Sequence, residues 1–145
     1  MTGSTETKTG TGLERRMWDL LLVVTAAPHS SDVITSALRL SQAVLDKGGS
    51  VRFWACGYAT MLTQTTHGET KLVNTRDPGG SYPSTAAIAA RMIEAGAGRF
   101  GWIGCTACSE ERGATQHLPQ VRRRSPARLA ATMAAAKRTL YLGGA

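Results

Sequence analysis

The run Asp19-Leu20-Leu21-Leu22-Val23-Val24-Thr25 is an unbroken apolar stretch of strand length with no polar alternation. A strand with one face in water changes character at every second residue. A continuous apolar run therefore predicts a strand covered on both faces, the situation of a parallel sheet wrapped in helices. The residues that follow agree. Pro28-His29-Ser30-Ser31-Asp32 reads as a turn and cap, apolar Val33, Ile34, Ala37, Leu38, Leu40, Ala43 and Val44 recur at near-helical spacing over 33–47, and Gly48-Gly49 ends the pattern. Val51-Arg52-Phe53-Trp54-Ala55-Cys56 then makes a second strand. The tight return of this β-α-β unit predicts a parallel pair.

The same alternation continues to the end of the chain. A short helix is expected at 59–62, polar turn-rich chain at 63–80 with a strand candidate at 71–74, and a helix at 85–96 whose Ala86, Ile88, Ala89, Met92 and Ile93 form an apolar stripe. Residues 99–104 read as a strand, 113–124 show no period, Ser125-Pro126-Ala127 opens a helix over 127–136, and 138–142 close the chain as a strand. The expected class is α/β: three layers, with a mostly parallel sheet of about four or five strands flanked by helices. Trp18, Trp54 and Trp102 fall in or beside strands and read as core or subunit-interface residues.

A length of 145 residues suits one domain, expected over 17–145, behind a disordered tail at 1–16 whose first twelve residues are rich in Thr, Gly and Ser. That tail lacks the basic and apolar regions of a secretory signal, and no apolar stretch approaches the roughly 18 residues needed to span a bilayer. The three cysteines are an odd number and cannot all pair within one chain. The expectation is a soluble cytoplasmic protein with no membrane partner. Net charge is +7, and it is unevenly placed: no acid follows Glu111, whereas Arg112, Arg122, Arg123, Arg124, Arg128, Lys137 and Arg138 do. The C-terminal third thus presents a basic surface. It has no interleaved aromatic residues, so direct nucleic-acid binding is not expected.

Chemistry concentrates in Phe100-Gly101-Trp102-Ile103-Gly104-Cys105-Thr106-Ala107-Cys108-Ser109-Glu110-Glu111-Arg112-Gly113. An apolar strand ends at a cysteine, a second cysteine follows three residues later, and a helix begins there. Backbone N–H groups left unpaired in a first helical turn favour a thiolate. In open parallel sheets, ligands gather outside the carboxyl ends of the strands, where Cys56, Cys105 and the turn holding His29 all fall. Spacing alone leaves several readings open: a nucleophilic thiolate, a dithiol redox pair, a zinc site short of its fourth ligand, or two small residues packed in a tight turn. Cys56 reads as a redox neighbour or an inert core thiol, and His29 as a general base or a solvated loop residue. His67 and His117 lie in unpatterned loops.

The run from Cys105 through Arg112-Gly113 resembles the DsrE/DsrF-like family of sulfur-relay proteins, the DsrEFH superfamily, and the similarity extends over 18–143. In that family a cysteine follows the apolar strand and an Arg-Gly pair closes the motif, and Gly113 stands eight residues after Cys105 here. The resemblance implies that Cys105 accepts sulfane sulfur as a persulfide and passes it to a partner thiol. Cys108 would be a helper, and Arg112, Gly113, His29 and Cys56 would support the site. It also implies a homo-oligomer, trimeric or hexameric, with a sulfur-donor or sulfur-acceptor protein as partner and no metal or organic cofactor. The alternatives are a Cys-x-x-Cys thiol-disulfide oxidoreductase and a non-catalytic oligomeric binding subunit with a basic C-terminal surface. Arg122, Arg123 and Arg124 match no feature of the family.

Overall fold

The computed structural model describes residues 16–28, 32–71 and 79–143. The strands are β1 (Trp18–Val24), β2 (Val51–Ala55), β3 (Phe100–Cys105), β4 (Arg122–Arg124) and β5 (Ala136–Leu142). The helices are α1 (Val33–Asp46), α2 (Thr85–Gly96), α3 (Thr106–Glu111) and α4 (Leu129–Ala134), with 3-10 turns at Gly57–Thr63, Thr65–His67 and Pro126–Arg128. The five strands form one sheet in the order β4-β3-β2-β1-β5, and every neighbouring pair is parallel.

Each element has a local cause. The apolar runs of β1, β2 and β3 are buried along nearly their whole length, as a strand covered on both faces must be. Alternate residues serve the two faces. Leu20, Leu22, Val24, Phe53, Phe100 and Trp102 meet Ile34, Ala37 and Leu45 of α1 and Ala89 and Met92 of α2 in the larger core. Leu21, Val23, Trp54, Ile103 and Cys105 line the opposite face against Leu129 of α4 and Ala107 and Cys108 of α3. The α2 start is capped by Ser84, whose hydroxyl accepts the Ala87 N–H at 3.1 Å. Trp18, Trp54 and Trp102 are all buried in the core, and Phe53 stacks on Trp102 with ring centroids 3.8 Å apart.

Two elements were not foreseen as they stand. The aperiodic stretch before Ser125 ends in β4, three arginines that pair with Ile103, Gly104 and Cys105 at one edge of the sheet. Three residues are too few to show a period, and charged side chains suit an edge strand facing water. The last helix is shorter than 127–136 because the chain enters β5 at Ala136, which pairs with Trp18. The strand candidate at 71–74, apart from Lys71, and residues 1–15 of the expected tail lie outside the described residues.

The register sets the geometry of the site. Val24 is level with Ala55 and Leu142, Ala55 with Gly104, and Cys105 with Arg124. The strands therefore end along a single carboxyl edge, and the connections after β2 and β3 meet there. At the opposite end Asp19 ties three segments together, accepting the Ser50 N–H at 2.9 Å and Lys137 Nζ at 2.9 Å.

Candidate functional site

The carboxyl edge brings together Cys56, which follows β2, Cys105, which ends β3, and Cys108 in the first turn of α3. Their three sulfur atoms all lie within 4.8 Å of one another, and all three thiols are free. Cys56 and Cys108, 52 residues apart in sequence, are in direct contact, with Sγ atoms 3.4 Å apart. As ligands they make a soft three-thiol set, and among the described residues no further His, Asp or Glu joins it.

The three thiols are chemically unequal. Cys105 is fully buried, and this burial raises its pKa above the ordinary thiol value, outweighing the Cys108 and Ala107 N–H groups that favour its thiolate. The lowering expected for Cys105 at the head of a helix is thus overcome by desolvation. Burial pushes Cys56 up to about 12, reinforced by its hydrogen bond to Cys108 and by the negative charge there. Cys108 moves the other way. Burial works against its ionisation, but the Gly57 N–H, the thiols of Cys56 and Cys105, and the Arg112 charge together hold it below the ordinary thiol value. Cys108 is also partly exposed, whereas Cys105 is not. The position that gathers donors around a thiolate is Cys108.

The backbone of Gly57 makes part of this arrangement possible. Its φ of +57° is in the left-handed region, where glycine alone is at ease, as the chain turns sharply out of β2. The adjacent Tyr58 ring is 58% exposed and lies under the Arg112 guanidinium, 4.7 Å from the ring centroid. Arg112 also donates to the Cys108 carbonyl at 3.4 Å and pairs with Glu111 at 3.0 Å, which holds a positive charge at the rim of the thiol cluster.

Gly113 does structural work. The Gly113 N–H returns to the Glu110 carbonyl at 3.3 Å and the Ala114 N–H to the Ser109 carbonyl at 2.8 Å, with Gly113 at φ +65°. This pair of bonds is the Schellman closure of a helix, and it stops α3 after six residues. The Arg-Gly pair thus combines an electrostatic residue with a chain-reversal residue.

Residues that sequence reasoning passed over hold the turn in place. Ser109, fully buried, donates to the Cys105 carbonyl at 2.6 Å and contacts His117 Nε2 at 2.9 Å. On the other side of the ring, His117 Nδ1 faces Thr63 Oγ1 at 2.9 Å and Gln64 Nε2 at 3.1 Å. The Gln116 N–H donates to Gln64 Oε1, which turns the donating amide nitrogen of Gln64 toward the imidazole. Nδ1 is therefore the acceptor and Nε2 carries the proton that Ser109 receives. Burial, aided by the nearby Arg123 charge, lowers the His117 pKa and keeps the ring neutral. One signal was available: Ser109 is four residues from Cys105, on the same side of a helix. His67 is in the 3-10 turn that follows Gln64, its N–H on the Gln64 carbonyl at 3.1 Å, and His29 lies outside the described residues.

No family model matches the chain, and no curated protein matches it. Among solved structures, the crystal structure of the YchN protein from E. coli is similar, with a TM-score of 0.63 at 19% sequence identity over 87% of this chain and 100% of YchN. At that identity the likeness carries the fold alone. The chain thus shares the overall fold of that protein, and here it is an α/β arrangement with a five-stranded parallel sheet flanked by helices.

Proposed function

We propose that this chain is a sulfur-transfer protein that carries sulfane sulfur as a cysteine persulfide at the carboxyl edge of the sheet. The observation that carries the reading is the cluster of three free thiols within 4.8 Å of one another at the carboxyl edge, in which Cys108 is partly exposed and Cys105 is fully buried. On that ground the accepting residue is Cys108 rather than Cys105. The motif register pointed to Cys105, but its thiol is sealed in the core. The Cys108 thiolate attacks the outer sulfur of a donor persulfide, the donor S–S bond breaks, and the donor leaves as a thiolate. A partner thiol then takes the outer sulfur by the same step in reverse. Gly57, Arg112 and the Cys105 thiol stabilise the negative charge before and after transfer.

The reading includes a reducing, cytoplasmic setting, which free thiols suit, and a homo-oligomer. Exposed Met133, Leu140 and Tyr141 on α4 and the β5 edge support assembly. No helix among the described residues is long and apolar enough to cross a membrane.

Incubating the reduced protein with inorganic polysulfide and weighing the intact chain tests the proposal. Weighed at the earliest times, wild type should gain one sulfur atom, Cys108→Ser should gain none, and the adduct should map to the Cys108 peptide. An adduct that maps to Cys105 and survives Cys108→Ser returns the carrier role to Cys105. No adduct on any form overturns the sulfur-transfer reading.

A further inference from the structure

In sulfur carriage Cys56 serves only as a hydrogen-bond donor to Cys108, yet its Sγ touches that of Cys108 at 3.4 Å, across 52 residues of chain. It sits where β2 ends, anchored by its own N–H to the Val24 carbonyl at 2.9 Å. Neither sulfur needs a large backbone movement to meet the other. From this contact we infer a further activity, resting on the sulfur-carrier reading: the loaded site releases its sulfur as sulfide by closing a Cys56–Cys108 disulfide.

The step balances within the chain. Cys56 attacks Sγ of the Cys108 persulfide, a Cys56–Cys108 S–S bond forms, and the bond from Cys108 Sγ to the outer sulfur breaks. The outer sulfur departs with the bonding pair and takes up the Cys56 proton, leaving as hydrosulfide. Sulfane sulfur is reduced by two electrons, and the two thiols are oxidised to the disulfide. An external dithiol reductant then restores both thiols. The substrate class is sulfane sulfur, as polysulfide or low-molecular-weight persulfide, and the product is sulfide.

The surroundings give the step an order. While Cys108 is an empty thiolate, Cys56 donates its S–H to it and stays protonated, a poor nucleophile. Sulfur loading moves the negative charge from Sγ to the outer atom, so the bond that held the Cys56 proton weakens once there is something to release. Cys105 is the less suited partner, since it is fully buried.

The test uses the full-length reduced chain, loaded briefly with inorganic polysulfide, freed of excess reagent and followed by intact mass and by bimane trapping of sulfide. Wild type should first be one sulfur heavier, then two hydrogens lighter than the reduced chain, with one sulfide released per chain and a Cys56–Cys108 cross-link in the peptide map. Cys56→Ser and Cys56→Ala should still load one sulfur, Cys56→Ala more slowly because Cys56 helps hold Cys108 as a thiolate, and both should then keep the extra sulfur and lose the sulfide release until a dithiol is added. An adduct that persists on wild type as it does on the Cys56 variants, or a Cys105–Cys108 cross-link, overturns this inference and leaves sulfur carriage standing. Failure of every form to load overturns both.

Discussion

Replacing Ser109 with alanine asks whether the thiol-bearing turn is held by a single relay of hydrogen bonds. The Ser109 hydroxyl donates to the Cys105 carbonyl at 2.6 Å and receives the His117 Nε2 proton at 2.9 Å, inside a fully buried environment. A buried hydrogen bond contributes about 1 kcal/mol net, and a donor left unpartnered costs about 1–3 kcal/mol. Alanine removes the donation to Cys105 and strands the His117 N–H, so the expected loss is about 2–4 kcal/mol. For a domain of this size, at about 3 °C per kcal/mol, the midpoint should fall by about 6–12 °C. Urea unfolding read by the fluorescence of the buried tryptophans measures the loss directly, and thermal melts check the shift. His117→Phe and the double variant complete a cycle, which should show a coupling of about 0.5–3 kcal/mol because both single changes break the same bond. A Ser109→Ala loss below about 0.5 kcal/mol, or strict additivity in the cycle, refutes the relay.

Alkylation with iodoacetamide at neutral pH should label Cys108 first and Cys105 only on unfolding, with the rate of Cys108 labelling half-maximal below the ordinary thiol value of 9.0. First labelling at Cys105 contradicts the assignment of the reactive thiolate. Arg112→Ala should shift that alkylation profile to higher pH, since the guanidinium is one of the groups favouring the thiolate; an unchanged profile removes Arg112 from the site. His117 is neutral when folded and titrates below its ordinary value, so its contribution to stability is complete above pH 6.5 and is lost as the pH falls from there through the depressed folded value. Urea midpoints across that range should fall for wild type and fall less for His117→Phe. Gly113→Ala meets no atom within 4 Å, so its cost should be the backbone term alone, about 1–2 kcal/mol for a left-handed residue. A neutral substitution at Gly113 contradicts the closure of α3 described above.

Much of the fold was legible because the responsible forces are local. Apolar runs without alternation at β1, β2 and β3 can be satisfied only between two covering layers, and Ser125-Pro126 announces the helical segment that follows. The Cys-x-x-Cys run at a strand-to-helix junction was likewise visible and does lie at the carboxyl edge. What the linear order does not contain is depth. Cys105 and Cys108 are both cysteines near a helix start, and only the packing of Ile103 and Ala107 beside them shows which is sealed. The cross-chain partners were equally hidden: Cys56 meets Cys108 through sheet order, and His117 reaches Ser109 because the segment after α3 folds back against Gln64. No spacing rule encodes a contact between segments whose separation is set by intervening strands.

On the sulfur-carrier reading, the arginine strand β4 would also set how fast the site meets its reactants. It lies beside β3 with Arg124 level with Cys105, in a part of the chain with no acidic residue after Glu111. Sulfane donors such as polysulfides are anions at neutral pH. Guanidinium charges on both faces of this edge strand would therefore raise the local concentration of such donors and speed their encounter, independently of the chemistry at sulfur. The screening length falls from about 30 Å at 0.01 M salt to about 8 Å at 0.15 M. Loading by small anionic donors should accordingly slow as salt rises, while loading by a neutral thiol-reactive probe should not, which would make β4 an electrostatic guide for the cargo as well as a strand of the sheet.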